Sequence, residues 1–448
     1  MSEKSLREIW LEYADTHKEL METRVKNDIE KYRKGYCKIK VVDKNNKPVA
    51  NKKVKITQTK HAFGYGANIF MLDEFGSDEL NKKYRDDFKK YFNTATVPFY
   101  WNGLEPEKGK PRFDKNSEKI YRRPAPELCV EYCEENGINP KLHCLVYDKF
   151  LPDWLPTQNM KEMEKYYEER IRQIAERYNG RFFEVEVINE LLCESCWGKD
   201  IKSVISEKRD ILEWAFGLAR KHMPNETLVI NEGNALNSLA KEDYRDRYFL
   251  MIDNALKSSI PIDKIGVQHH CFCGVADETE EAYQVSIHRG SHMFDPSEIL
   301  KGLDILAEFG LPLELTEITV PTFGTSEEDE ELQAELLDLL YTTCFSHQAV
   351  ETLVYWNLPD EYAYALPGWN ENRCRGGLFR KDMTPKKSAQ RLYEMFNKRW
   401  HTDIEVVTDE NGYAEFRGFY GDYSAELDNT TQEFSIEKGN ANVKSLMF

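Results

Sequence analysis

The 448-residue sequence has no uninterrupted apolar stretch of about 18 residues, so nothing in it reads as a membrane-spanning helix. It is also short of positive charge. Lys and Arg number 61 against 78 Asp and Glu, for a net charge of -17, and no block of basic residues stands out. That balance disfavours nucleic acid, whose phosphates demand a basic face, and leaves a neutral partner easier to accommodate. Ten cysteines are too dilute for a disulfide scaffold and fit free thiols in a reducing compartment. The opening MSEKSLREIWLEYADTHKEL carries charges every few residues where a secretory leader needs an apolar run. These absences predict a cytoplasmic protein without a membrane partner, the alternative being a secreted protein whose leader has been removed.

What is present is a change of pattern along the chain. Apolar residues at helical spacing (Ile9, Trp10, Tyr13, Leu20, Val25, Ile29) predict one exposed N-terminal helix over residues 1–35. From Tyr36 to Thr57 the pattern alternates, with Asn45-Asn46 as the turn of a predicted hairpin, and the tail repeats this style around Asn411-Gly412. Residues 36–62 and 400–448 are therefore predicted to form one small β domain, since chain ends usually lie close together. The aromatics Phe416, Phe419, Tyr420 and Tyr423 could bind carbohydrate there, but alternating aromatics in strands usually face inward, which favours a structural role.

Between residues 63 and 399, eight strand candidates alternate with helical patterns: FGYGANIF, NTATVPFYW, PKLHCLVYD, FFEVEVINE, TLVINEG, DKIGVQHH, PLELTEITV and ETLVYWNL. Eight βα units predict an α/β fold, a closed (β/α)8 TIM barrel with an apolar strand interior, accompanied by the small β-rich accessory domain. Chemistry in such a barrel collects at the C-terminal strand ends. Strand candidate three carries His143 and Tyr147, four ends in Asn189-Glu190, five in Asn231-Glu232, six in Gln268-His269-His270, seven in Thr316-Glu317 and eight in Trp356. Any one Glu after a strand is usually a solvated loop charge or a neighbour of a helix cap. Two glutamates converging on one mouth lined by amide, imidazole and indole are instead the kit for breaking an acetal: an acid for the leaving oxygen, a carboxylate for the anomeric carbon and a platform for a sugar face.

The strings NGLEPEKG (102–109), HCLVY (143–147), LPDW (151–154), VEVINE (185–190), IGVQHH (265–270), LELTEI (313–318) and VYWNLPD (354–360) resemble glycoside hydrolase family 10, the retaining endo-β-1,4-xylanase family, in its order from about Phe63 to Phe396. The resemblance implies Glu190 as acid/base and Glu317 as nucleophile. It implies Asn189 as the contact to the sugar 2-hydroxyl, His270 as the partner of the nucleophile, and His143, Gln268 and Trp356 as further contacts to the same sugar. It also implies carboxyl groups about 5 to 5.5 Å apart, one protonated and one ionised. The substrate would be an oligosaccharide or polysaccharide, with no cofactor and no metal.

Departures from the family cluster in one place. Its polar second strand is replaced by Thr96, Val97 and Tyr100, its strand-three Trp by Tyr147, a nearby Gln by Phe150, and a Trp of the eighth loop by Tyr364. Losing hydroxyl-binding groups predicts short oligosaccharides, or a β-glycoside other than plain xylan. Cys193, Cys196, Cys271 and Cys273 in two mouth loops could hold zinc or pair as disulfides, although free thiols are the more usual reading. The alternatives kept open are a hydrolase of a different β-glycoside, a non-catalytic carbohydrate-binding barrel and a metal-dependent barrel hydrolase using the histidines.

Overall fold

The chain is described by a computed structural model covering residues 4–192, 203–276, 279–288 and 290–448. Strands β1 (Lys34–Val42) and β2 (Lys53–His61) precede eight parallel strands: β3 (Gly64–Asn68), β4 (Thr94–Pro98), β5 (Asn139–Val146), β6 (Glu184–Asn189), β7 (Thr227–Glu232), β8 (Lys264–His270), β9 (Leu313–Thr319) and β10 (Val350–Tyr355). These eight close into a barrel in the order β10-β3-β4-β5-β6-β7-β8-β9, the (β/α)8 architecture expected. The intervening helices form because capped ends meet apolar stripes. Met160–Tyr178 starts where the Asn159 side chain accepts from the Glu162 N–H, and it buries Met163, Tyr167, Ile171, Ile174 and Tyr178 at spacings of three and four. Glu327–Ser346 starts on a reciprocal capping box between Ser326 and Asp329.

Beyond the barrel lie a short mouth hairpin, β11 (Ala365–Leu366) and β12 (Trp369–Asn370), and then β13 (Asp403–Val407), β14 (Tyr413–Phe419), β15 (Gly421–Leu427), β16 (Thr430–Ile436) and β17 (Asn442–Met447). The β-rich ends assemble two sheets, β14-β1-β17 and β13-β2-β15-β16. Their shared core includes Ile39, Val41, Ile56, Phe416, Tyr423 and Phe434. Phe416, Phe419 and Tyr423 are buried, which leaves them no free face for a sugar.

Three expectations are corrected. First, β1 and β2 do not form a hairpin: β1 pairs with β14 and β17, and β2 with β13 and β15. The turns at Asn45-Asn46 and Asn411-Gly412 instead carry the chain between the two sheets, so that both strands face the shared core. A true two-residue hairpin sits at Asp428-Asn429, both at positive φ (47° and 64°), between β15 and β16. Second, the N-terminal segment is not one exposed helix. It is helical over Leu6–Trp10, over Glu12–Thr16 and then without a break through Lys18–Leu20, a π turn at Met21–Val25 and Lys26–Arg33, all following the barrel surface. Trp10 is fully buried between Phe294 and Phe323, with Nε1 donating to the Ile287 carbonyl at 2.7 Å. Third, the barrel interior is not apolar. Lys141, Glu184, Glu186, Lys264 and Glu314 are buried inside it, with Lys141 against Glu314 and 3.3 Å from Glu186, and Lys264 against Glu184. Charges tolerate such a place only when paired.

Candidate active site

Strict alternation along β9 cannot turn both Glu314 and Glu317 toward the barrel axis, because they are three residues apart. A register shift resolves this: Val267 pairs with Leu315 and Gln268 with Glu317, leaving Thr316 as the extra residue of a bulge. β6 repeats the device. Glu186 pairs with Val229 and Ile188 with Ile230, so Glu186 and Asn189 share the inner face. Glu190 then takes a left-handed backbone (φ 55°), a strained conformation for a non-glycine residue and one that collects at functional sites. Its N–H donates to the Asn231 carbonyl at 3.1 Å.

These bulges bring the two glutamates together. Gln268 Nε2 donates to Glu190 Oε1 at 3.0 Å and to Glu317 Oε1 at 2.9 Å, so those oxygens can be no farther apart than the two bonds laid end to end, about 6 Å. That bound admits the 5 to 5.5 Å spacing of retaining glycosidases. Asn231 Nδ2 reaches Glu317 Oε1 at 3.2 Å and Asn189 Oδ1 at 2.8 Å, while Thr316 Oγ1 donates to Asn231 Oδ1 at 2.6 Å. Tyr147 donates its hydroxyl to Glu190 Oε2 at 2.5 Å.

His270 lies with Nε2 3.2 Å from Glu317 Oε2 and Nδ1 2.9 Å from Thr319 Oγ1. Burial pushes its pKa down to about 4, which keeps the ring neutral. With the Thr319 hydroxyl donating to Nδ1, the Nε2 proton is directed at Glu317. Burial raises the Glu317 carboxyl to about 8; His143 opposes this and the negative charge of Glu190 adds to it. The expected assignment, with Glu317 the ionised partner, thus misjudged its environment, because Glu317 is the deeper of the two carboxyls.

Above the carboxyls lies a cavity of about 230 Å³, at the small end for a ligand pocket. Tyr147, Gln268, His270, Trp356 and Tyr364 line it with Glu190 and Glu317. Asn189 lies just beneath. His143 is corrected: it does not reach the cavity, because Tyr100 caps its Nε2 at 2.9 Å and Glu186 holds its Nδ1 at 2.8 Å. Burial opposes a charge on His143, but Glu186 outweighs it and the pKa is raised.

His269, at the end of β8 beside His270, faces away, its Nε2 3.0 Å from the Met293 carbonyl. Glu232 accepts from the Leu192 and Gly233 N–H groups and so serves the loops. Cys271 and Cys273 are buried free thiols with sulfurs 3.9 Å apart; Cys193 and Cys196 lie outside the described residues. Residues that the sequence reading missed include Phe70, Arg122, Arg123, Phe272 and Trp369, all on the cavity wall. The Arg122-Arg123 pair, adjacent cations in an acidic chain within the long connection between β4 and β5, was the one available signal.

Fold, mouth and paired glutamates define the class, a closed parallel barrel of the glycoside-hydrolase kind with two carboxyls at its C-terminal end. The profile of glycosyl hydrolase family 10 matches residues 74–395, most of the barrel, and the chain belongs to that family. It is similar to the anti-sigma-I factor RsgI6 of Acetivibrio thermocellus, 27% identical over 400 residues covering 88% of this chain and 45% of that protein. Endo-1,4-beta-xylanase 2 of Arabidopsis thaliana is 24% identical over 398 residues, 87% of this chain and 32% of that one. The chain thus spans less than half the length of these two relatives. Endo-1,4-beta-xylanase B of Thermotoga neapolitana is 25% identical over 75% of this chain and 88% of its own. Among solved structures, xylanase 10B of Thermotoga petrophila in complex with xylobiose superposes with a TM-score of 0.57 at 21% identity, covering 75% of this chain and 95% of that one, a likeness of fold. No helix among the described residues is long and apolar enough to cross a membrane.

Proposed function

We propose that the chain is a retaining β-glycoside hydrolase of the xylanase type, acting by double displacement on xylan-derived or related β-linked oligosaccharides. The observation that carries this reading is the amide bridge: one Gln268 nitrogen within 3.0 Å of both glutamates, at the floor of a cavity the size of a small ligand. Glu317, as its carboxylate, attacks the anomeric carbon while Glu190, acting as the acid, delivers a proton to the leaving oxygen. The resulting glycosyl ester on Glu317 is opened by water, from which Glu190 now takes the proton. His270 and Asn231 donate to Glu317, favouring its carboxylate as positive charge develops on the sugar. Asn189, with its oxygen already held, presents its NH2 to the sugar 2-hydroxyl.

Short substrates are favoured over long polymer. Thr96 and Val97 are buried, and Phe70, Tyr100 and Phe150 close the cavity on that side. Release of reducing sugar from aryl β-glycosides, xylo-oligosaccharides and polymeric xylan, by wild type and Glu317→Ala, tests the reading. Cleavage of at least one substrate by wild type alone is expected. Equal rates on long xylan and on oligosaccharides would count against the short-substrate preference, and wild-type inactivity across the panel against hydrolysis itself.

A further inference from the structure

The wall of the cavity facing the two glutamates is cationic. Arg122, Arg123 and Lys149 line it, in a chain whose net charge is -17. Arg122 is committed to structure: Nη1 donates to the Tyr362 carbonyl and Nη2 to Asn357 Oδ1 at 2.8 Å. Arg123 is placed differently. Its guanidinium carbon lies 4.2 Å from the centre of the Tyr100 ring and 5.3 Å from that of Phe150, so aromatic faces fix its plane.

The stem of Arg123 packs where residue 103 is glycine; a Cβ there would meet Arg123 Cγ at 2.8 Å. Its Nη1 donates to the Arg122 carbonyl at 2.8 Å. Among the described residues neither guanidinium forms an ion pair, and the groups acting electrostatically on Arg123 are Tyr100, Arg122, Tyr364 and Tyr147, none of them a carboxylate. Glu371, the third carboxylate of the cavity, accepts from Asn357 Nδ2 at 2.8 Å. The Nε and Nη2 donors of Arg123 are thus left, and this edge of a guanidinium is the fork that takes two oxygens of one anion side by side.

A charge that is oriented by aromatic rings, given room by a glycine and lacking an internal counter-ion is built for a ligand, because leaving it unpaired costs desolvation with no return. Resting on the glycoside-hydrolase reading, we propose that Arg123 is a specificity determinant for an anionic sugar, its Nε/Nη2 fork binding a carboxylate or sulfate carried by the glycone side of the substrate. This accounts for the lost hydroxyl-binding residues near Tyr100: a charged substituent takes the place of hydroxyls as the recognised feature.

Binding separates this inference from catalysis. In Glu317→Gln protein, calorimetry would compare three matched β-linked disaccharides, one neutral, one ending in a uronic acid and one bearing a sulfate ester at the corresponding position. Tighter binding of at least one anionic sugar than of the neutral one is expected, by about 10- to 100-fold, the size of a charge-assisted bond. Whichever anion gains identifies the source of the charge.

Adding Arg123→Met should abolish that advantage and leave neutral binding within about threefold, less than half the free energy of a tenfold change; Arg123→Lys should restore part of it. Equal binding of all three sugars, or an equal loss of all three in Arg123→Met, would overturn the inference and leave Arg123 as a wall residue. Failure of all three to bind would overturn the glycoside reading along with it.

Discussion

The two ends of the same strands treat glutamate in opposite ways. Inside the barrel, Glu184 and Glu186 of β6 and Glu314 of β9 lie among Lys141 and Lys264. At the mouth, Glu190 and Glu317, a few residues further along those strands, are held by an amide, a neutral imidazole and a phenol. Ammonium partners hold most of the interior carboxylates charged: Glu186 stays below the usual range because His143 and Lys141 outweigh its burial, and Glu184 does so beside Lys264, whereas burial and the neighbouring Glu184 raise Glu314 to about 8. Buried carboxyls with only neutral donors can hold or release a proton. Pairing with cations makes a structural layer, and its absence leaves a pair of groups able to do acid–base work.

Breaking the mouth should have the largest effect. Glu317→Gln is expected to lower kcat by about 10⁴-fold or more, roughly 5.5 kcal/mol of transition-state stabilisation, with an unchanged melting curve. A large drop in Tm would instead place Glu317 in the structural layer. Breaking the interior should act on stability: Lys141→Met strands buried carboxylates and should cost about 3 to 5 kcal/mol in urea unfolding. Lys141→Met combined with Glu314→Leu should recover much of that loss, and an equally unstable double variant would contradict the pairing account.

Two smaller effects sharpen the contrast. Tyr147→Phe removes a donor from Glu190 and should reduce kcat/KM about tenfold, the worth of a hydrogen bond to a charged group. In wild type, burial raises Glu317 to about 8, and Glu317 attacks as its carboxylate, so kcat/KM should rise as pH increases through that region. A kcat/KM that is flat from pH 6 to above 8 would show that Glu317 is already ionised at neutral pH.

How far these features were legible in the chain differs by kind. Eight alternating βα units, the Asn189-Glu190 and Thr316-Glu317 pairs and the aromatic strand ends follow from local pattern, because burial and strand geometry act on neighbours in sequence. From that alone came the barrel, its catalytic mouth and most of the residues around it. Tertiary structure decided the rest. Which sheet takes β1 or β2 depends on strands more than 340 residues away. The burial of Trp10 depends on Phe294 and Phe323, and the pairing of Lys141 depends on Glu314. The bulges that turn Glu186 with Asn189, and Glu314 with Glu317, to one face are registers between neighbouring strands, which no spacing within a single strand can show. Arg123 followed the same rule. Its place on the wall, and the lack of a carboxylate beside it, arise only when the loop after β4 folds against Tyr100.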